Sequence, residues 1–171
     1  MIYTPAEDSY LLLKHVKEYA EGKTVLDMGT GSGVLAEEAK KWAVSVLAVD
    51  CNEEAVAVVK AKGIRVLYSD LFSRVGEKFD VVFFNPPYLP YDEQEDEDTR
   101  LMTTGGKRGS ELLERFLKEA KEYLNPSGKV VILFSSLTPD LEVILRKYNY
   151  KFKKIDECDL FFEKLFVYEA E

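Results

Sequence analysis

Between Thr24 and Phe134, short apolar runs alternate with stretches of helical periodicity, and this alternation restricts the fold more than any other feature of the chain. The runs Thr24 to Leu26, Val44 to Val49, Ile64 to Tyr68, Val81 to Phe84 and Val130 to Phe134 read as strands. Four of them are almost continuously apolar, as strands covered on both faces are. The clearest helical stretch, Ser110 to Leu124, sets Leu112, Leu113, Phe116, Leu117, Ala120 and Leu124 on one face and is stopped by Asn125, Pro126 and Gly128. Such succession predicts a parallel sheet with right-handed crossovers. A last helix is expected over Pro139 to Lys147. The tail from Phe152 to Tyr168 reads as two strands joined by an irregular stretch, closing one edge with one antiparallel strand. The expected class is α/β: a Rossmann-like, seven-stranded, mostly parallel sheet with helices on both faces.

At 171 residues, against about 150 for an average domain, the chain is expected to form one domain over 1–171. Its 23 basic and 31 acidic residues leave a net charge of −8, which opposes gripping a phosphate backbone by bulk electrostatics. Cys51 and Cys158 lie far apart and form no CxxC pair, so neither a disulfide framework nor a metal site is read from them. No apolar run approaches the ~20 residues of a membrane span, and Met1 to Ser9 is not a secretory signal, so a cytoplasmic location is expected. Six of the seven residues from Asp92 to Asp98 are acidic, which reads as a loop.

The first four runs are each followed by a polar residue: Asp27, Asp50, Asp70 and Asn85. Such residues also end strands and cap helices, but in a parallel sheet all four leave from the carboxyl edge, where ligands collect. The most specific local sequence is Asp27-Met28-Gly29-Thr30-Gly31-Ser32-Gly33. Glycines at alternate positions let the turn tighten until backbone N–H groups face a ligand, with the start of the next helix, Val34 to Trp42, aimed at it. A dinucleotide fingerprint would need glycine or alanine where Val34 stands, so NAD is disfavoured.

An acid followed by GxGxG resembles the S-adenosylmethionine (SAM) loop of class I methyltransferases. The resemblance implies that Asp27, Gly29, Gly31 and Gly33 surround the methionine part of the cofactor, that Asp50 accepts the ribose hydroxyls, and that Asp70, with Leu71 beside it, faces the adenine. Asn85-Pro86-Pro87-Tyr88 resembles the NPPY motif of amino-directed methyltransferases, in which Asn85 lies by the cofactor as well as the target. A planar, conjugated nitrogen is a poor nucleophile and must be turned so that its lone pair meets the methyl group in line. Acceptors for its two N–H bonds, the Asn85 side-chain oxygen and the Pro86 carbonyl, do this, while Pro87 shapes the substrate-binding turn and Tyr88 stacks on the flat group.

Tyr3, Pro5, Glu7, Asp8 and Ser9 are similar to the YxPxED[ST] opening of the HemK-related release-factor glutamine methyltransferases, short archaeal and eukaryotic type. Thr4, Pro5 and Glu7 also read as a capping box. The resemblance implies that residues 1–22 form a helix covering the cofactor and that Ser9 touches it. It also implies the strand order 3-2-1-4-5-7-6, and a glycine-rich lid around Gly105, Gly106, Lys107, Arg108 and Gly109 within an 89–109 loop near the active site. A small zinc-binding activator protein is expected to pair with the exposed strand Ile64 to Tyr68. The substrate is expected to be a glutamine in the GGQ segment of a release factor. A nucleic-acid amino methyltransferase remains as one alternative, distinguished by a basic stripe beside the pocket. A non-catalytic SAM-binding scaffold or regulatory subunit remains as another, distinguished by a blocked pocket or by SAM binding without transfer. His15, the lone histidine, reads as a surface residue.

Overall fold

A computed structural model of the chain describes residues 2, 5–87, 104–107, 109–138 and 141–171. Along the sequence run α1 (Glu7–Ala20), β1 (Thr24–Met28), α2 (Val34–Ala39), β2 (Ser45–Asp50), α3 (Glu53–Ala61), β3 (Arg65–Tyr68) and β4 (Phe79–Phe84). They continue with α4 (Glu111–Ala120), β5 (Leu124–Ser135), α5 (Leu141–Lys147), β6 (Phe152–Asp159) and β7 (Lys164–Ala170). The strands form one seven-stranded sheet in the order β3-β2-β1-β4-β5-β7-β6, the expected one. Neighbours from β3 to β5 pair in parallel, and β7 is antiparallel to both β5 and β6. The chain therefore has the fold of class I methyltransferases, Rossmann-like with one reversed strand.

Helices bury both faces of the central strands, which is why β1, β2 and β4 carry so few polar residues. On one face α4 and α5 lay Leu113, Phe116, Leu117, Leu141 and Leu145 against Leu26, Met28, Val82, Phe84 and Ile132. On the other, Leu11, Leu12, Val16 and Ala20 of α1 and Leu35 and Ala39 of α2 cover Val25, Val81, Phe83, Val131 and Leu133. Adjacent strand residues fall alternately into the two layers, as a period of two requires. A smaller cluster of Ala36, Ala48, Val59 and Ile64 sits between α2, α3 and the sheet. Among the described residues no helix is long and apolar enough to cross a membrane.

Several boundaries differ from the sequence reading, most of all around β5. The helix before β5 ends at Ala120, with one 3-10 turn over Lys121–Tyr123, and β5 starts at Leu124 rather than Val130. Asn125, Pro126 and Gly128, which resemble a helix stop, instead lie within this long strand. Phe79 pairs with Leu124, and the register then jumps to Val81 with Lys129, absorbing the intervening residues as an irregularity with Ser127 at φ +63°. The expected terminal helix is described from Leu141, and Pro139 lies outside the described residues.

Phe116 joins the core to the sheet's carboxyl edge: its ring lies 4.4 Å from that of Phe84 and 5.4 Å from that of Phe72. Phe116→Ala is expected to lower the unfolding free energy by about 3–5 kcal/mol, as for other fully buried aromatics. Urea unfolding checks this, and a change below about 1 kcal/mol would contradict the packing assigned to α4.

Candidate active site

A cleft of about 620 Å³ opens at the carboxyl edge, inside the size range of small-molecule sites. Its walls are the segments that leave four strands: Met28 to Ser32, Val49 to Ala55, Ser69 to Leu71 and Phe84 to Pro87. Ile2, Asp8, Ser9, Val34, Leu35 and Leu112 close the remainder. The cleft is open, against the blocked pocket expected of a non-catalytic scaffold.

The glycine loop is held from beneath. β1 runs two residues beyond its expected end at Leu26, to Met28, so Asp27 lies within the strand and points to the α1 and α2 layer, opposite Met28. Its Oδ2 accepts from the Thr30 hydroxyl at 2.6 Å and from the Ala36 N–H at 3.1 Å. Asp27 is thus corrected from a cleft-lining group to a brace under the loop. Burial, the largest influence, pushes its carboxyl up to about 7 against the opposing pull of those two donors, and neighbouring Asp50 adds to the rise. Gly33 likewise does not line the cleft. It takes φ +82° at the start of α2, and a Cβ there would stand 2.8 Å from Val59 Cγ2, so glycine permits α2 and α3 to close together. Gly29 and Gly31 do line the cleft, both at positive φ.

Asp50 ends β2 at the cleft. Its two oxygens accept from Gly31 N–H at 2.8 Å and Asn52 N–H at 2.9 Å, which joins the β1 and β2 turns and leaves further lone pairs for hydroxyl donors. Burial raises its pKa, and the backbone donors partly counter that. Asp70 is mostly exposed at the rim and pairs with Arg115 at 2.8 Å. Leu71 beside it is buried in a left-handed conformation, φ +45°, pinned by Ser69, whose hydroxyl donates to the Leu71 carbonyl at 2.9 Å.

Asn85 stands just past β4, its Nδ2 donating to Asp8 Oδ2 at 2.9 Å. Its Oδ1 is buried with no hydrogen-bond partner among the described residues. Pro86 and Pro87 continue the wall, and Ser9 reaches the cleft from the first turn of α1. The rest of α1 packs in the core, so among the described residues of the segment 1–22 it is Ile2 and the leading turn of the helix that stand at the site. Asp8 is the residue whose part sequence reasoning missed: it stands 77 positions from its partner, and its one signal is a carboxylate opening an otherwise apolar helix face.

Tyr88, Tyr3, the acidic run 92–98 and Arg108 lie outside the described residues. Gly105 does lie against the site: a Cβ on it would come within 2.6 Å of the Pro87 carbonyl oxygen. His15 is a structural link, bonded to Asp156 Oδ2 at 3.0 Å. Among the described residues that line the cleft, Asp8, Asp50, Glu53, Glu54 and Asp70 are acidic and none is basic.

A family model described as the methyltransferase small domain matches residues 6–158. A protein of Methanocaldococcus jannaschii, provisionally named a protein N5-glutamine methyltransferase, is 42% identical over 99% of this chain and 91% of its own length. The release factor glutamine methyltransferase of Koribacter versatilis is 30% identical over 88% of this chain, which spans only 61% of that relative. Among solved structures, the E. cuniculi Mtq2-Trm112 complex, described as responsible for methylation of the eRF1 translation termination factor, matches at a TM-score of 0.82 and 28% identity, covering 99% of this chain and 98% of that one.

Because the Asp27 carboxyl rises from 3.8 to about 7 on folding, its contribution to stability is complete below pH 3.8 and lost as pH climbs through 7. Asp27→Asn removes that loss, so the variant should gain on the parent by about 1.4 kcal/mol per pH unit between pH 4 and 7. Urea titrations at three pH values across this window measure it, and parallel profiles would contradict the assignment.

Proposed function

Because this chain belongs to the methyltransferase small-domain family, and within it to the HemK-related protein glutamine methyltransferases, we propose that it transfers a methyl group from S-adenosylmethionine to the side-chain nitrogen of a glutamine in the GGQ segment of a translation release factor. The observation that carries this reading is the Asn85 carboxamide, whose oxygen is buried without a partner among the described residues, in a turn that the glycine loop and Asp50 face across one cleft. That cleft suits the cofactor: a backbone turn rich in N–H donors stands beside a carboxylate with acceptor capacity remaining. Gly29 and Gly31 would border its methionine part, Asp50 its ribose, Asp70 and Leu71 its adenine, and Ser9 its outer side. Bound there, it supplies an electrophilic methyl group on a positively charged sulfur.

What the protein adds is position and acceptors. An amide nitrogen shares its lone pair with its own carbonyl, so it attacks only when held out of that resonance. Asn85 Oδ1 and the Pro86 carbonyl take its two N–H bonds and turn the lone pair inward, and Tyr88 stacks on the amide plane. As the nitrogen gains positive charge these acceptors bind it more tightly, which lowers the barrier without a base at the start. Gly105 stands against Pro87 at the mouth through which the target enters, and residues 1–22 deliver Ser9.

The acidic lining supports a protein target over a nucleic acid, since five carboxylates, with no basic residue among the described lining residues, repel a phosphate backbone. A small zinc-binding activator protein seated along β3 completes the reading, set in the cytoplasm where release factors act. β3 is an edge strand with Tyr68 exposed, and Val58 of α3 is exposed nearby. The Mtq2 neighbour is itself in complex with a second protein, Trm112.

The test is incubation with labelled cofactor, release factor and total RNA, with and without such an activator. Label is expected in the release factor, and label confined to RNA would overturn the reading. Asn85→Ala should reduce transfer roughly a hundredfold or more with cofactor binding kept. Asp50→Ala should weaken cofactor binding roughly ten- to a hundredfold, as calorimetry would show.

A further inference from the structure

The geometry points to Asp8 as a positioning residue: it fixes which end of the Asn85 carboxamide meets the target nitrogen and strengthens that end as an acceptor. The inference rests on the proposed glutamine transfer for its activity measurements, though not for the orientation itself.

Asp8 is 5% exposed and lines the cleft beside Asn85. Its two oxygens do different work. Oδ1 accepts from Ser9 N–H at 2.6 Å, within the first turn of α1, and Oδ2 accepts from Asn85 Nδ2 at 2.9 Å, across 77 residues of sequence. A purely local role in starting the helix accounts for the first bond and leaves the second without a reason. The start of α1 makes a buried carboxylate tolerable there, because unpaired N–H groups and the positive end of the helix dipole lie at that turn.

A carboxamide can present either its oxygen or its NH2 group to a ligand, and the two orientations have nearly the same shape. Only the first can hold an amide nitrogen by its N–H. In the second, donor faces donor, and the target is pushed away. A carboxylate offers acceptors alone, so turning Asn85 over would set its oxygen against Asp8 Oδ2 at hydrogen-bond distance, two electron-rich atoms in contact. Asp8 thereby removes the unproductive orientation before substrate arrives. Its charge also acts through the amide: drawing on the Nδ2 protons shifts electron density toward Oδ1, and a more negative Oδ1 holds a nitrogen that is becoming positive more strongly than one still neutral. The effect therefore belongs in kcat more than in substrate or cofactor binding.

The experiment compares the parent chain with Asp8→Asn and with the exchange Asp8→Asn/Asn85→Asp. Asp8→Asn keeps the shape, removes the charge and lets the Asn85 amide turn over. It should lower kcat on release factor roughly ten- to a hundredfold, with KM and cofactor Kd within about threefold of the parent. In the exchanged protein, position 85 carries a carboxylate that faces the target with an oxygen whichever way it turns, while the amide at position 8 donates to its other oxygen. Transfer should recover above that of Asp8→Asn alone. Side-chain 15N–1H signals of the Asn85 NH2 group, assigned by their loss in Asn85→Ala, should lie downfield in the parent and move toward ordinary amide positions in Asp8→Asn. An unchanged kcat in Asp8→Asn, an exchange variant no better than it, or unmoved Asn85 signals would each overturn the assignment. If the parent methylates no release factor, the proposed function fails, and the Asn85 signals of the unliganded protein still decide the orientation.

Discussion

A carboxylate buried under a glycine turn holds the cleft together. Asp27 is 1% exposed, and through one oxygen it joins Thr30 in the turn to Ala36 in the helix that follows. Thr30 N–H in turn donates to the Val49 carbonyl at 2.9 Å, and Gly31 N–H to the Asp50 carboxylate. The turns after β1 and β2 are therefore one hydrogen-bonded unit. Backbone donors that would otherwise collapse onto each other stay spread along the rim. The arrangement leaves Asp27 Oδ1 buried without a hydrogen-bond partner among the described residues and its carboxyl displaced toward neutrality, an energetic burden typical of a structure shaped for binding rather than for stability alone.

The same economy governs charge. Carboxylates are gathered at the carboxyl edge with no lysine or arginine among the described lining residues, and Arg115 at the rim is already paired with Asp70. Such a rim favours a cationic cofactor and disfavours polyanions, so the field that selects one ligand also rejects the class of substrate that shares the same amino-transfer chemistry. Substrate discrimination at this site begins before any side chain of the target is read.

Most of the fold was legible because parallel strands covered on both faces leave an unmistakable apolar pattern, and the glycine turn and the Asn85 tetrapeptide sit where strand ends must be. The reversed strand β7 and the strand order were anticipated for the same reasons and from family likeness. What stayed hidden was orientation within elements. Asp27 and Asp50 look alike in sequence, each closing an apolar run, yet Asp27 pairs with Ala48, two positions short of Asp50, and so lies beneath the turn rather than at the cleft. Gly33 looks like a phosphate-cradle glycine, while its lack of a side chain serves the approach of α3 instead. Asn125 to Gly128 carry stop signals that a long strand absorbs in a register shift, since pairing on both sides outweighs local propensity.

The placement of Asp8 shows how an accurate site can come from a part of the chain far from it. A carboxylate near Asn85 is useful only if it stays within hydrogen-bond reach, and α1 cannot slide or rotate without losing its buried stripe of Leu11, Leu12, Val16 and Ala20. Its far half is tied down independently: the Tyr19 hydroxyl donates to Glu169 of β7 at 2.5 Å, and His15 bonds Asp156 of β6. Glu169 is itself fixed by Lys129 of β5 at 2.9 Å. At 1.5 Å per residue, a single-residue slip along the helix axis would also swing Asp8 by about 100° around it, enough to break the contact altogether. The antiparallel edge made by β6 and β7, remote from the cleft, thus acts as the anchor that sets the position of the first turn of α1, and through it the direction in which Asn85 faces.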